Sequence, residues 1–421
     1  MLQLNLNKPE NRLKLMPHQE SSVEFLLRRK RAILADQPRV GKTLPTAVAC
    51  IEHLPALIVC PAIAKEVWRK AFETLGHKAL VINGRQEAEL AFTQHGDNNI
   101  VIINYDLLHH TKGALSYKTL VLDESHRIKS HAAQRTKACL KFMKVIPRVY
   151  ALSGTPIPNR PIELWPLLHG LGIYRGGYYD FAQRYAKMWK APWGLDVSGA
   201  SNLPELKQLM MPHVLRRKKE DVFMEYKQPQ VSLITFDMPV DKREKNFDAD
   251  ALFENPNALV AFEGLSEIMR EAGLRKVIPA VEFIEDKLRD GDPVVVFAHH
   301  KDVVDVLAAK LKEHKPVVIT GDTPNKQRHI NIEKFQHGKT NVIIGNIAAM
   351  SEGVDLSRAD TVIFVEATWQ TSALEQASSR VENIAKTGFT PMVYILTIRA
   401  SLDHTVLGKV LRKLNIIDQI I

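Results

Sequence analysis

Two clusters in this 421-residue chain have the residue types and spacing to do chemistry. Val40, Gly41, Lys42 and Thr43 lie between an apolar run, Ala32 to Ala35, and a helix-compatible stretch from Thr46 to Leu54. A strand, a glycine turn and a helix start, in that order, present backbone N–H groups and the positive end of a helix dipole to an anion. In such a loop Gly41 lets the backbone approach phosphate, Lys42 reaches the β and γ oxygens, and the Thr43 hydroxyl ligates Mg²⁺. The full pattern asks for glycine five residues before Gly41; Asp36 stands there, with Pro38 and Arg39 between. The second cluster, Asp123, Glu124, Ser125 and His126, directly follows the apolar run Thr119 to Leu122. A carboxylate pair at the end of a buried strand sits where open α/β sheets bind ligands. Asp123 is expected to hold Mg²⁺, Glu124 to polarise an attacking water, and His126 to sense the nucleotide or a neighbouring lobe. A solvated acidic turn is the alternative. Leu152, Ser153, Gly154, Thr155 and Pro156 follow another short apolar run, and three such elements in this order point to nucleotide hydrolysis.

The elements that must position these residues recur in two series. Apolar runs fall at 31–35, 56–60, 79–82, 99–103, 119–122 and 149–152, and again at 293–297, 316–319, 341–345, 361–365 and 392–396. Runs of four to six apolar residues separated by helix-length segments predict buried parallel strands with helical crossovers. The expected fold is therefore α/β, with two tandem lobes, each a parallel sheet flanked by helices. Residues 216–292 show no such alternation. They carry a basic start (Arg216, Arg217, Lys218, Lys219), a polar stretch around 241–256 and a helical pattern from about 258 to 289, which reads as a hinge and a small helical insertion packed on the second lobe. The domains expected are 1–215, 216–292 and 293–421.

Lys and Arg exceed Asp and Glu, 57 against 47, and the pI is about 9.3. A basic balance favours a polyanionic partner and fits a mildly basic soluble protein nearly as well. Cys50, Cys60 and Cys139 have no paired metal-ligand spacing, so buried thiols in a reducing compartment are expected. Adjacent His299 and His300 point to opposite sides of a strand and do not readily chelate together, so no metal besides Mg²⁺ is expected. No apolar run approaches 18 residues and the N-terminus is polar, which argues against a membrane span or signal peptide. The expected location is the cytoplasm, or the nucleus in a eukaryote. With no low-complexity tail, the chain reads as a minimal motor, expected to be monomeric and with no protein partner indicated.

From about residue 12 to 410 the sequence resembles helicase superfamily two, and within it the Swi/Snf-type branch of double-stranded DNA translocases, most of all the annealing-helicase (HARP-like) group. The likeness rests on LMPHQ ending at Gln19, LIVCPA at 57–62, DESH, LSGTP, PWGLDVSGASNLPELK at 192–207, LRRKKEDV at 215–222, VVVFAHHK at 294–301, ITGDT at 319–323, GVDLSRAD at 353–360 and EQASSR at 375–380. It implies an ATP- and Mg²⁺-dependent translocase on double-stranded or forked DNA. Gln19, Gly353 and Asp355 would then join Gly41, Lys42, Thr43 and His126 around ATP; Ser153, Thr155 and Gln376 would couple the lobes; and Arg380 would add catalytic positive charge. By the same resemblance, DNA contacts fall at Pro61, Ala62, Asn104, Tyr105, Lys301, Thr320, Gly321, Asp322, Ala348, Ala349, Met350, Ser351 and Trp369. For these the bland alternative of ordinary loop or core use stays open. One departure stands out: the family's second arginine, three residues beyond Arg380, is Asn383 here, beside Glu382. An arginine finger contributes roughly 10³–10⁵ in rate, so hydrolysis is slow unless Arg380 or the neighbouring Lys386 compensates, or a local rearrangement leaves turnover adequate. Three readings follow: a translocase that remodels or anneals strands, a degenerate nucleotide-gated DNA-binding regulator, and a strand-separating DNA or RNA helicase.

Overall fold

A computed structural model of the chain describes residues 15–90, 99–111, 117–154, 160–192, 194–223, 229–245, 264–350, 355–366, 381, 390–405 and 407. They fall into two compact units, the first drawn from 1–156, 164–176 and 209–218, the second from 157–163, 177–208 and 219–421.

In the first unit the apolar runs become β1 (Arg31–Leu34), β2 (Ala56–Cys60), β3 (Leu80–Val81), β4 (Ile100–Asn104), β5 (Thr119–Asp123) and β6 (Arg148–Leu152). Later in the chain come a hairpin, β7 (Trp189–Ala191) with β8 (Gly194–Asp196), which groups with the second unit, and the short β9 (Val214–Leu215), which returns to the first. The sheet order is β3-β4-β2-β5-β6-β1-β9 and every pairing is parallel. All five residues of β2 are buried, as a central strand covered on both faces requires. Around the sheet lie α1 (Pro17–Arg29), α2 (Thr43–Ile51) and α3 (Lys65–Thr74). Trp68 and Phe72 of α3 enter the core beside Ile58, Ile102 and Val121. Cys50, Cys60 and Cys139 are buried free thiols.

The second unit repeats the architecture with β10 (Gln230–Phe236), β11 (Val294–Ala298), β12 (Val317–Ile319), β13 (Val342–Asn346), β14 (Thr361–Phe364) and β15 (Met392–Ile398), ordered β10-β15-β14-β11-β13-β12 and again wholly parallel. Here β10 differs from the expectation of a strand-free 216–292 segment. It is an edge strand with its first half largely exposed, so Gln230, Ser232 and Thr235 interrupt the apolar run that betrays a central strand. The 25-residue helix Leu265–Arg289 supplies Val277, Ala280 and Ile284 to the same core as β11 and β13. Among the described residues, no helix is long and apolar enough to cross a membrane.

One ion pair fixes that helix to the sheet. Lys276 and Asp403 have side chains only 1% and 2% exposed; Nζ donates to Asp403 Oδ2 at 2.5 Å and to Leu396 O at 3.0 Å. A buried charge stripped of its partner costs about 3–5 kcal/mol, whereas an apolar replacement of both members is often neutral. Thermal unfolding should therefore show Asp403→Ala strongly destabilised and Lys276→Met with Asp403→Leu restored most of the way to wild type.

Candidate functional site

In the first unit, the residues singled out as chemical follow the carboxyl ends of β1, β2, β4, β5 and β6, which a parallel sheet places along one edge. Beyond β1 the chain makes the expected turn. Arg39 and Gly41 take left-handed φ of 70° and 91°, and α2 begins at Thr43 with no side chain capping it. The φ of 91° favours glycine at position 41, and a Cβ there would also displace the Gln19 side-chain tip, standing 2.7 Å from Nε2. Gln19 accepts from the Met16 amide at 3.0 Å and donates to Gly41 O at 3.3 Å, while His18 Nε2 lies 2.9 Å from Val40 O. Lys42 Nζ folds back onto its own loop, donating to Asp36 O at 2.7 Å and Gln37 O at 3.2 Å.

Asp36, the departure from the glycine pattern, is buried and paired with Arg217. The arginine Nε and Nη2 donate to its two oxygens at 3.1 and 2.5 Å, and the Arg217 amide adds a third bond at 2.9 Å. The basic run at 216–219 thus contains a residue bound inside the protein, and its partnership was not visible in the sequence. An aspartate buried between an apolar strand and a loop demands a cation, and that demand was the only signal.

Asp123 ends β5 with Oδ2 accepting from Trp68 Nε1 at 2.8 Å and Oδ1 accepting from the Glu124 amide at 3.1 Å. Withdrawal from water, and then the neighbouring Glu124 charge, push this carboxyl up to about 6; the Trp68 bond and the nearby Lys42 ammonium pull the other way. Glu124 sits in the left-handed region at φ 52°, a conformation that costs a non-glycine residue about 1–3 kcal/mol and recurs at functional sites. His126 Nδ1 lies 3.3 Å from Glu124 Oε2 and 3.1 Å from the hydroxyl of buried Ser153. One imidazole thereby links the acidic strand end to the β6 strand end. Gly154 closes the circle, because a Cβ there would meet Pro38 of the phosphate loop at 2.8 Å. Trp68 was missed from sequence because its helical spacing reads as core.

The other expected positions are placed as follows. Tyr105 is 1% exposed and donates its hydroxyl to Asp123 O at 2.7 Å, so its side chain holds the acidic strand end from inside. Pro61 is buried, and Asn104 is half-buried at the end of β4. In the second unit Lys301 is exposed and paired with exposed Asp322, and Gly321 is exposed between Asp322 and buried Thr320. Ala349 is buried in the short helix Ile347–Met350. Exposed Asp355 accepts from the Ser357 amide, and its carbonyl accepts from Gln336 Nε2. The amides of His299 and His300 donate to buried Glu366 at 2.9 and 3.0 Å, and His300 Nδ1 lies 2.7 Å from the same carboxylate. Thr155, Gly353, Trp369, Gln376, Arg380, Asn383 and Lys386 lie outside the described residues.

A glycine-hinged loop opening an uncapped helix, a lysine in that loop, and an acidic pair at the end of β5, two strands along the same sheet edge, fit a triphosphate with its divalent cation. The first unit thus has the geometry of a phosphate-loop nucleotide-binding lobe. The chain matches the SNF2-related domain over residues 18–271 and the helicase conserved C-terminal domain over 275–384, and it belongs to the SNF2-related family. It is 31% identical over 433 residues to the SWI/SNF-related matrix-associated actin-dependent regulator of chromatin subfamily A-like protein 1 of Xenopus laevis, covering 96% of this chain and 44% of that protein. To the DNA annealing helicase and endonuclease ZRANB3 of Homo sapiens it is 27% identical over 437 residues, covering 96% of this chain and 40% of that one. The chain thus spans less than half the length of these relatives. A solved Sulfolobus solfataricus SWI2/SNF2 ATPase core in complex with dsDNA aligns with TM-score 0.46 and 21% identity over 99% of this chain and 95% of its own.

The raised Asp123 carboxyl makes the free protein pH-sensitive. Because its folded value lies above the unfolded one near 3.8, its contribution to stability is fully present below about pH 4 and is lost as pH rises through about 6. Melting temperature should therefore fall between pH 5 and 7 more in wild type than in Asp123→Asn, and Trp68→Phe, which removes a bond to the charged form, should move that fall to higher pH.

Proposed function

We propose that the chain is an ATP-dependent translocase on double-stranded or branched DNA that remodels or anneals strands. The observation that carries this reading is the meeting of Lys42, Asp123 and Glu124 on one sheet edge in a chain of the SNF2-related family. The name of the ZRANB3 relative, a DNA annealing helicase, supports the substrate class. In this reading residues 1–215 serve as the ATP-binding lobe, 216–292 as hinge and insertion, and 293–421 as the C-terminal lobe. Action on DNA would place the protein in a bacterial or virally infected cytoplasm or a eukaryotic nucleus.

Thr43 and Asp123 are the residues that would hold Mg²⁺, which when bound neutralises charge on phosphate oxygens. Lys42 leaves the Asp36 and Gln37 carbonyls for the phosphates, exchanging two neutral acceptors for a charged one. Glu124 takes the proton of the attacking water, and His126 holds its carboxylate and reports its state to Ser153. Gln19 keeps Gly41 in its left-handed turn. Gly353 and Asp355 as further ATP contacts, Thr155 and Gln376 as coupling residues, and Arg380 as a catalytic cation are assigned by the family resemblance. So are the DNA contacts, for which exposed Lys301 and Gly321 offer the accessible surface. Sequence-independent travel suits phosphate contacts of this kind.

Lys42→Ala should fold as wild type and retain less than about a tenth of ATPase turnover, since it removes the charge facing the phosphates. Glu124→Gln should still bind ATP in an equilibrium titration while failing to release phosphate. The observation favouring a weakly hydrolysing regulator is Asn383. If that position lacks a finger, Asn383→Arg should raise kcat and leave DNA affinity nearly unchanged; a flat or lower kcat would remove the finger argument.

A further inference from the structure

Asp36, which stands where the full phosphate-loop pattern asks for glycine, and the basic run after Leu215 meet in the fold. We infer that Arg217 is a positioning residue for the phosphate loop, and that through it the nucleotide state is read by the strand along which the chain leaves the first unit. The inference rests on the nucleotide reading above and adds a residue and a route to it.

Three observations converge. The Asp36 side chain is 2% exposed and takes three donors from Arg217, so loop and exit segment share one buried charge pair. The same guanidinium also donates to His18 O and Ser22 Oγ of α1, the helix whose Gln19 reaches Gly41. An arginine fork can span a carboxylate, a carbonyl and a hydroxyl at once; a lysine ammonium cannot hold the same geometry. Finally, the backbone continues the β1–β9 pairing into the loop, with Ala35 N donating to Leu215 O at 2.7 Å and Gln37 N to Arg217 O at 3.1 Å.

The route follows from where Lys42 rests. Its Nζ bonds the carbonyls of Asp36 and Gln37, whose residues are the ones laced to Arg217. When Lys42 turns to a phosphate, those carbonyls lose a charged donor and their peptide units readjust. The amide side of the same segment is bonded to 215–217, and the chain passes into the second unit between Lys218 and Lys219. Arg217 therefore both preforms the loop and passes its change onward.

The test measures binding of a non-hydrolysable ATP analogue with Mg²⁺, together with amide hydrogen exchange at Ala35, Gln37 and Arg217, in three proteins: wild type, Arg217→Lys, and Asp36→Asn with Arg217→Gln. The last removes both charges and leaves none unpaired, so it should melt near wild type. Wild type should change exchange at all three amides on binding. Both variants should bind roughly tenfold more weakly, as when the competent fraction of the loop falls to about a tenth, and should lose the response at Arg217. A variant that melts like wild type and keeps both its affinity and that response overturns the inference, as does a wild type that binds without any change at Arg217. A wild type that binds no nucleotide overturns instead the reading on which the inference rests.

Discussion

A wholly parallel sheet ends all its strands on one edge, and that constraint organises both units of this protein. The carboxyl ends of β1, β2, β4, β5 and β6 deliver the phosphate loop, Pro61, Asn104 with Tyr105, the acidic pair and Ser153 to the same side. No single segment contains the site. Its members are held in relation by contacts among these strand ends: His126 beside Glu124 and the Ser153 hydroxyl, the Tyr105 hydroxyl donating to the Asp123 carbonyl, and Gly154 packed closely against Pro38.

Electrostatics follows the same plan. Both units bury charge in pairs, Asp36 with Arg217 in the first and Lys276 with Asp403 in the second. Neither pair is a strong source of net stability, because the cost of removing two ions from water offsets most of their attraction. What such pairs do well is choose one arrangement, since any alternative leaves a charge alone. Each ties a segment distant in sequence to the sheet: the exit strand in one case, the long helix Leu265–Arg289 in the other. The acidic strand end works in the opposite sense. Asp123 and Glu124 repel each other, which with burial raises the Asp123 carboxyl, and the nearby Lys42 ammonium only partly offsets this.

The strands at the centre of each sheet were legible because burial on both faces leaves an uninterrupted apolar run; β2, β11 and β13 fall within a residue or so of the expected positions. The edge strands β3 and β12 fell on the runs at 79–82 and 316–319, whereas the edge strands β9 and β10 escaped the same reasoning. β10 mixes Gln230, Ser232 and Thr235 with apolar residues, and β9 is two residues long. At the site, the phosphate loop and the acidic pair were readable because their chemistry restricts residue type and spacing. Pairings set only by the fold were not: nothing in the sequence links Trp68 to Asp123 or Arg217 to Asp36, and a tyrosine following a strand gave no sign that Tyr105 points inward.

On the proposed reading, the first unit holds a nucleotide site whose turnover answers to duplex DNA. The direct measurement is steady-state phosphate release from ATP by the purified chain, alone and with saturating single-stranded, duplex or forked DNA of matched length. Release should be low alone, change little with single strands, and rise clearly with duplex or forked DNA, a rise that Glu124→Gln abolishes. Equal release under all conditions, or stimulation by single strands alone, would contradict it.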